Sequence, residues 1–299
     1  MIKLRYPIIL TICSYGTWQK NSYHTWKKSF VSEPIYLSNA SSAPSPSTVA
    51  EESEDEEIIP EADGHFGMVM DCSSYWNGKL TNLQTLSAFL VGKKDGNRIA
   101  QLRNMNKLKG SLCILKLENI LNKEEARDAR LHDKLHLTKL EFIWSDLQDA
   151  KVTSEEEILE HLQPHFGLQE LKIVSYSGGS LPSWISDPSF TQVTSITLYG
   201  CRYCERLPSL GELPSLKILN IVDMDELVVI DRLFYQQQAN QRQNAFPRLE
   251  QLSFDGMSNL EIWTGIEEGH FPCLQLLTIR FCPRLTASIS FIFELPPTF

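Results

Sequence analysis

Cys201 and Cys204 are the residues of this sequence whose spacing most directly suggests metal or redox chemistry. A Cys-x-x-Cys pair can supply half of a zinc site or the dithiol of a redox centre. Zinc needs two further ligands, and the sequence offers neither a second cysteine pair nor a histidine beside this one. We therefore interpret Cys201 as a buried structural residue and Cys204 as a surface thiol.

Histidines one helical turn apart are the next candidates, His132 with His136 and His161 with His165. Neither pair has a third ligand or the glutamate of a metalloprotease motif, so we interpret all four as surface histidines. The sequence also has no Gly-x-Ser-x-Gly nucleophile elbow and no recognisable pair of catalytic carboxylates. We expect no enzyme activity, no metal site and no cofactor.

A repeated apolar pattern dominates the chain after Trp76. Leu-x-x-Leu-x-Leu recurs roughly every 25 residues, the length of a short repeat unit. The copies are Leu112, Leu115, Leu117; Leu137, Leu140, Phe142; Leu168, Leu171, Ile173; Val193, Ile196, Leu198; Leu216, Leu219, Ile221; Leu249, Leu252, Phe254; and Leu274, Leu277, Ile279, with a looser copy at Leu83, Leu86 and Ala88. Cys201 and Cys282 occupy equivalent places in their copies, which favours burial of Cys201 over metal binding.

The phase of this pattern predicts a strand in every copy. Leu-x-Leu alternates in and out, as a strand with one buried face requires. A fold built from strand–helix–strand units would need a helix of 10–15 residues between strands, whereas residues 195–215 are rich in Cys, Pro, Gly and Ser. The sequence therefore predicts an α/β leucine-rich-repeat solenoid, a horseshoe with parallel strands on its concave face, preceded by a disordered N-terminal segment.

Composition divides the chain into three parts. We leave residues 1–37 unassigned, interpret residues 38–75 as a disordered Ser/Pro/acidic linker, and assign residues 76–299 to the repeat domain. Eight acidic residues between Glu51 and Asp63 account for most of the net charge of −9, so the repeats lack the basic excess typical of nucleic-acid binding. The short apolar run after Lys3 and Arg5 is interrupted by Pro7 and has no clear cleavage site, so we expect a cytoplasmic protein with no membrane span.

From Leu80 to Leu285 the sequence resembles the leucine-rich-repeat region of plant coiled-coil nucleotide-binding leucine-rich-repeat (NBS-LRR) disease resistance proteins. The stretches that carry this resemblance are LTNLQTLSAFLVGKKDG, LKGSLCILKLENI, EEARDARLHDKLHLTKLEFIW, LQPHFGLQELKIVSYSGGSLPSWI, CRYCERLPSLGELPSLKILNI, FPRLEQLSFDGM and FPCLQLLTIRFCPRL. Such receptors also carry a Gly-x-x-x-x-Gly-Lys-Ser/Thr phosphate-binding loop, which is missing here. The resemblance implies a recognition module for pathogen effectors or host target proteins, and we expect a truncated receptor without its nucleotide-binding module.

Two other functions stay open at this point: a free-standing scaffold or adaptor unrelated to defence, and a non-functional remnant. The partners expected under the leading hypothesis are a protein ligand, either a pathogen effector or a guarded host protein, and the nucleotide-binding module of a full-length receptor. We expect no nucleic-acid partner, because the repeats are close to neutral.

The predicted binding surface is the concave strand face, where outward residues of adjacent strands form columns. Two columns are expected, one beginning at Lys116 and the other at Glu118. The candidate binding residues are Lys116, Glu118, Glu141, Ile143, Trp144, Lys172, Val174, Thr197, Tyr199, Asn220, Val222, Asp255 and Arg280. Five of them are apolar and expected to face water, which is typical of a protein-binding patch. Packing of these five against neighbouring loops is the alternative.

Overall fold

A computed structural model describes residues 9–13, 69–70, 81–93, 97–145, 154–236 and 244–285, the first two ranges as backbone only. The boundaries predicted after residues 37 and 75 lie outside these ranges, as do most residues of the unassigned segment and the linker. Two short strands nevertheless fall within those segments, Ile9–Cys13 in the first and Val69–Met70 in the second.

Within the described ranges the chain forms short strands joined by loops and single helical turns. The strands are β1 (Ile9–Cys13), β2 (Val69–Met70), β3 (Ala88–Leu90), β4 (Lys109–Leu115), β5 (His136–Ile143), β6 (Glu170–Val174), β7 (Ser195–Tyr199), β8 (Ile218–Val222), β9 (Val229–Ile230), β10 (Gln251–Asp255), β11 (Ile262–Trp263) and β12 (Leu276–Arg280). The α-helices are α1 (Lys123–Asp128) and α2 (Ser154–Glu160), and the 3₁₀ turns are Ile99–Asn104, Leu117–Asn119, Leu131–Asp133, Ser183–Ser186, Leu210–Glu212 and Arg232–Phe234.

One ten-stranded parallel sheet organises the molecule. Its order is β1-β12-β10-β8-β7-β6-β5-β4-β3-β2, so from β2 to β12 the strands follow chain order and each repeat lies beside the next. A second, two-stranded parallel sheet pairs β9 with β11. This stacking confirms the prediction of an α/β leucine-rich-repeat solenoid.

The repeated leucines form a continuous core along one face of the large sheet. In β7, Ile196 and Leu198 are 1% and 0% exposed, and they pair in register with Leu219 and Ile221 of β8. Full burial of one such side chain contributes roughly 1.5–3 kcal/mol. Because each strand supplies two of them at the same two places, stacking the repeats buries one unbroken apolar layer.

The strand of the first clear repeat is shifted relative to our sequence alignment. Leu112 and Ile114 of β4 are its buried positions, in register with Leu140 and Phe142 of β5. The predicted set of Leu112, Leu115 and Leu117 was therefore wrong in phase. A register irregularity at Gly110/Ser111 displaces the start of the strand, and the chance apolar residues after Ile114 imitate the repeat pattern.

A left-handed residue follows most strands of the large sheet. Six strands end in such a turn, at Lys116, Ser175, Gly200, Asp223, Gly256 and Phe281. The chain bends away from the sheet at the same point in each of these repeats, because a positive φ reverses its direction locally. Trp144, which follows β5, is not among the positive-φ residues. Among the strands of the large sheet from β4 to β12, β5 is the one without such a turn directly after it.

Both α-helices begin with an acidic first turn, which favours the positive end of the helix dipole. In α1, the Asn122 side chain accepts a hydrogen bond from the Glu125 amide at 2.9 Å, while the Glu125 carboxylate accepts one from the Leu121 amide at 3.0 Å. These reciprocal bonds resemble a capping box. Ser154 followed by three glutamates predicts a capped helix running to about Gln163; α2 confirms the start and ends at Glu160.

Candidate protein-binding face

One face of the ten-stranded sheet packs on the leucine core. The opposite face is the one that the sequence predicts to be concave, and it is here called the outer face. Three columns of side chains run across it in register. From β4 to β12, the first column is Ser111, Lys139, Glu170, Ser195, Ile218, Gln251 and Leu276; the second is Cys113, Glu141, Lys172, Thr197, Asn220, Ser253 and Thr278; the third is Leu115, Ile143, Val174, Tyr199, Val222, Asp255 and Arg280. The first column was missed in the sequence, although the same alternation extended by two residues would have shown it.

Ten of the thirteen candidate residues lie in these columns. They are Glu141, Ile143, Lys172, Val174, Thr197, Tyr199, Asn220, Val222, Asp255 and Arg280. Their register position agrees with the sequence-based placement. Their role in binding stays a prediction.

Lys116 and Glu118 do not belong to the columns, because the phase of β4 differs from the predicted one. In the register with β5, Cys113 pairs with Glu141 and Leu115 pairs with Ile143. Cys113 and Leu115 therefore hold the column positions that were predicted for Lys116 and Glu118. Lys116 instead forms the left-handed turn after β4. The Glu118 carboxylate accepts hydrogen bonds from the Ser145 amide at 3.1 Å and from the Ser145 hydroxyl, and so links two neighbouring repeats behind the strands.

Trp144 was wrongly predicted to face water. Its side chain is 2% exposed and belongs to the main core, where its ring meets that of Tyr176 edge to face at 5.1 Å. The β5 strand lacks the left-handed turn that follows its neighbours. The Trp144 amide donates to the Val174 carbonyl at 3.0 Å, which continues the strand pairing by one residue.

The other apolar candidates form a small cluster of their own on the outer face. Val174, Tyr199 and Val222 are 7%, 9% and 7% exposed, and Ile143 packs against them. The expectation that these side chains face water was therefore wrong for three of the four. Because these side chains are adjacent in register, each covers most of the surface of the next. Only a small part of each side chain reaches solvent.

Ion pairs lie on the outer face at β5 and β6, on one side of its middle strands. The Glu141 carboxylate is almost fully buried and lies 3.0 Å from the Lys139 ammonium and 3.7 Å from that of Lys172. Burial alone would lower the pKa of Lys139, but its hydrogen bond to Glu141 and the charges of Glu141 and Glu170 outweigh this and raise it. Lys139 therefore stays charged beside this buried carboxylate.

Cys113 lies beside this charged group, and its environment makes it unreactive. Burial raises the pKa of the thiol to about 12, and the negative charge of Glu141 acts in the same direction. Since the thiolate is the nucleophilic form of cysteine, Cys113 is not an activated nucleophile.

A second ion pair lies on the other side of the middle strands, on β10 and β12. Arg280 donates to Asp255 from Nε at 3.0 Å and from Nη2 at 2.5 Å, both to one carboxylate oxygen. Burial raises the pKa of Asp255, and the hydrogen bond and positive charge of Arg280 partly offset that effect.

Between these ion pairs, β7 and β8 present no charged side chain on the outer face. Their outward residues in the first two columns are Ser195, Thr197, Ile218 and Asn220, all partly exposed. The Asn220 side-chain amide donates to the Thr197 hydroxyl at 3.4 Å, which holds both in place. Together with Tyr199 and Val222 they make a neutral region between two charged groups.

Part of this sheet matches a known protein family. Residues 99–224 match the family described as R13L1/DRL21 LRRs, which covers β4 through β8. The solenoid is a leucine-rich-repeat domain.

Curated relatives of this leucine-rich-repeat domain are plant disease resistance proteins. A putative disease resistance RPP13-like protein 1 from Arabidopsis thaliana is 38% identical over 217 residues, which covers 68% of this chain and 21% of the relative. From Solanum bulbocastanum, the putative disease resistance protein RGA1 is 36% identical (69% of this chain, 20% of the relative) and the disease resistance protein RGA2 is 34% identical (71% and 22%). The predicted resemblance is thus confirmed, and the chain spans about a fifth of the length of these relatives.

Cysteines of the leucine-rich-repeat domain serve its packing. Cys201 and Cys204 are both fully buried, and their thiols donate to the Tyr199 and Gly178 carbonyls at 3.9 and 3.4 Å. Burial raises the pKa of Cys201 to about 12. The interpretation of Cys201 as structural is confirmed, whereas the prediction that Cys204 is a surface thiol was wrong.

One histidine also differs from its prediction. His165 is 8% exposed, and its Nε2 lies 2.7 Å from the Leu137 carbonyl while Nδ1 accepts from the Gly167 amide at 3.0 Å. It ties neighbouring repeats together and is no surface residue. Among residues 81–93, 97–145, 154–236 and 244–285, no group of three His, Cys, Asp or Glu side chains could hold a metal ion. No helix in these ranges is long and apolar enough to cross a bilayer.

Proposed function

We propose that this leucine-rich-repeat domain is a recognition module of plant innate immunity that binds a pathogen effector or a host target protein through its outer face. The relatives are disease resistance proteins by name, which supports the biological setting. The proposal includes a cytoplasmic location, no catalytic activity of the domain itself, and contact with a nucleotide-binding module where one belongs to the same receptor.

The observation that carries this proposal is the distribution of charge on the outer face. Its middle strands β7 and β8 are neutral, and the strands on either side carry the group around Glu141 and the pair of Asp255 with Arg280. Protein interfaces lose charged residues at their core and keep polar ones at the rim. A partner that covers Thr197 and Asn220 would displace water without burying an unpaired charge, while the charged groups on either side orient it.

Order in the surface supports the same proposal. Val174, Tyr199 and Val222 already pack against one another, and Asn220 already holds Thr197. Ordering side chains on binding costs about 0.5–1.5 kcal/mol for each flexible one. A surface whose side chains are fixed in advance avoids much of this cost.

The test is a screen of the chain against pathogen effectors and candidate host proteins, followed by Thr197→Arg and Asn220→Arg in every complex found. Both positions are partly exposed, so the fold should persist. We expect the dissociation constant to rise at least tenfold, about 1.4 kcal/mol, in isothermal titration calorimetry.

Gln192→Arg is the matched control, because Gln192 is exposed but lies before β7, so the same added charge there should leave affinity unchanged. Equal affinity of wild type, Thr197→Arg and Asn220→Arg for the partner would rule out the outer face. A partner unrelated to defence would support the scaffold alternative, and a screen without any binding protein would count against recognition as the function.

A further inference from the structure

The far edge of the large sheet is occupied by a strand from the opposite end of the chain. β12 belongs to the last described repeat and pairs with β10 on one side. On its other side it pairs with β1, in parallel and in register over five residues, from Ile9 opposite Leu276 to Cys13 opposite Arg280. β1 therefore stands where the strand of a following repeat would stand.

β1 also has the sequence of a repeat strand. Ile9-Leu10-Thr11-Ile12 matches Leu276-Leu277-Thr278-Ile279 at three of four positions. In register, Leu10 and Ile12 occupy the places of Leu277 and Ile279, the two core positions of β12. Thr11 is in register with Thr278. The short segment therefore carries the apolar spacing that a solenoid strand requires.

The end of a solenoid needs such a strand for two reasons. The last strand presents unpaired backbone donors and acceptors along its outer edge, which are a template for pairing with another chain. The last repeat also has no neighbour to cover its core residues unless a cap is present. Leu277 and Ile279 are nevertheless 1% and 4% exposed, as buried as the core of the inner repeats.

We propose that the outer edge of β12 is a strand-acceptor site for an extended segment with apolar residues at alternate positions, filled by residues 9–13 of the same chain. Occupied in this way, the edge of β12 is not available to a second copy, and β1 becomes the terminal strand of the sheet. Ten strands spaced ~4.8 Å apart separate β1 from β2 by roughly 43 Å. Residues 14–68 can span this distance easily, since an extended chain covers ~3.3 Å per residue.

The first test is Leu10→Asp with Ile12→Asp in the full chain. We expect amide hydrogen exchange of residues 276–280 to become at least tenfold faster, while exchange in β7 stays unchanged. Light scattering should show dimers or larger species where the wild type is a monomer. The matched control is Thr11→Asp, which adds a carboxylate in register with Thr278 and should leave exchange of β12 and the molar mass unchanged.

A peptide of residues 5–17 should reverse the effect when it is added to the doubly substituted chain. We expect slow exchange of β12 and a monomeric mass to return at saturating peptide, whereas the same peptide with both aspartates should have no effect. Unchanged exchange of β12 in the double variant, or no rescue by the wild-type peptide, would overturn the proposal.

Cross-linking decides between the same chain and a second copy, and it applies even if the aspartate variant fails to fold. Cys13 lies opposite Arg280, and strands ~4.8 Å apart bring paired Cα atoms within the 4.4–6.8 Å that a disulfide needs. Arg280→Cys should yield, on mild oxidation, a disulfide to Cys13 within a chain of monomeric mobility. Ser253→Cys, one strand further away, should not cross-link. A cross-linked dimer, or no link at all, would contradict filling by the same chain.

Discussion

Lys134 joins neighbouring repeats through one buried side chain, and burial makes its protonated form less favourable. It is fully buried, and its Nζ donates to the Leu102 carbonyl at 2.6 Å. Burial lowers the pKa of the amine from 10.5 to about 8, although the charge of Asp133 acts in the opposite direction. The folded state therefore favours the neutral amine, while the unfolded chain keeps its proton to a higher pH.

This difference predicts a pH-dependent stability. Between pH 8 and 10.5 the unfolded chain holds the extra proton, so the free energy of unfolding rises with pH. From pH 8 to 9.5, Lys134 should add roughly 1.5 kcal/mol. Lys134→Met should remove this part of the rise, as measured by urea denaturation at both pH values.

Lys107→Met provides the control, because Lys107 is exposed and bonds only to the Asn82 side chain within its described contacts. It should retain the wild-type rise. Identical slopes for wild type and Lys134→Met would show that the Lys134 amine does not change its protonation on folding.

At the residue scale, alternation along a strand was enough to predict outward residues such as Glu141 and Lys172. It could not predict Trp144, because the position after a strand depends on whether the chain enters a left-handed turn, and the apolar pattern carries no information on that. Burial of His165 and Lys134 was equally hidden. Each satisfies a backbone carbonyl from another repeat, a partner that no local sequence signal marks.

Among the elements, α2 holds the serine- and glycine-rich loop of the next repeat. Glu155, which is 2% exposed, accepts from the Ser177 amide at 3.1 Å and from its hydroxyl at 2.8 Å. Glu156 accepts from the Gly179 amide at 2.8 Å. Glu160 accepts from the Ser183 amide at 2.7 Å and from the Ser183 hydroxyl. The acidic face of a short helix thus fixes a loop that has few apolar side chains of its own.

Burial should decide how much each of these carboxylates contributes. Glu155→Ala leaves the Ser177 amide and hydroxyl buried without this acceptor, so we expect a loss of about 2–3 kcal/mol in the free energy of unfolding. Glu160→Ala removes an equivalent pair of bonds at an exposed site, where water replaces the carboxylate, and should cost less than about 1 kcal/mol. Thermal and urea denaturation measure both; equal losses would show that burial is not the deciding factor.

Elements were predictable where period and capping signals agreed. The strands from β5 to β12 that carry the repeated leucines follow the apolar pattern, and Ser154 with its glutamates marked the start of α2. The β4 strand was misplaced because Leu115 and Leu117 fit the same pattern by chance. The contacts of α2 with residues 177–183 escaped prediction, since acidic residues in a first helical turn are already explained by the helix dipole.

For the whole molecule, the order of strands implies a chain of nearest-neighbour contacts. Each repeat packs on the one before and the one after, so disturbance should spread along one dimension. Leu198→Ala in β7 empties a fully buried position and should cost roughly 2–5 kcal/mol. Amide exchange should accelerate most in β6, β7 and β8, and least in the distant β12.

Leu86→Ala is the control for position, because Leu86 is 1% exposed but lies near the other end of the sheet, before β3. It should accelerate exchange in β3 and β4 and leave β10 and β12 unaffected. Equal acceleration in all strands after either substitution would mean that the solenoid opens as one cooperative unit.

At this scale the sequence predicted the solenoid, but the pairing of β1 with β12 was not predicted. Leu10 and Ile12 have the spacing of Leu277 and Ile279, and that signal was available. It was overlooked because a short apolar run after basic residues resembles an export signal, and because repeats are sought as continuous series. Pairing between distant segments has no local signature, so periodicity alone could not have joined β1 to β12.

The recurring left-handed turn after the strands has a consequence for how such a surface can evolve. Register between β8 and β10 is unbroken over five residues, although residues 237–243 lengthen the connection that follows the turn at Asp223. Insertions and deletions behind the turn therefore leave the rows of outward side chains aligned. Selection can therefore change the length of a repeat and the identity of its exposed residues independently. New binding specificities can arise by single substitutions on the outer face, while the sheet tolerates changes in the length of the connections.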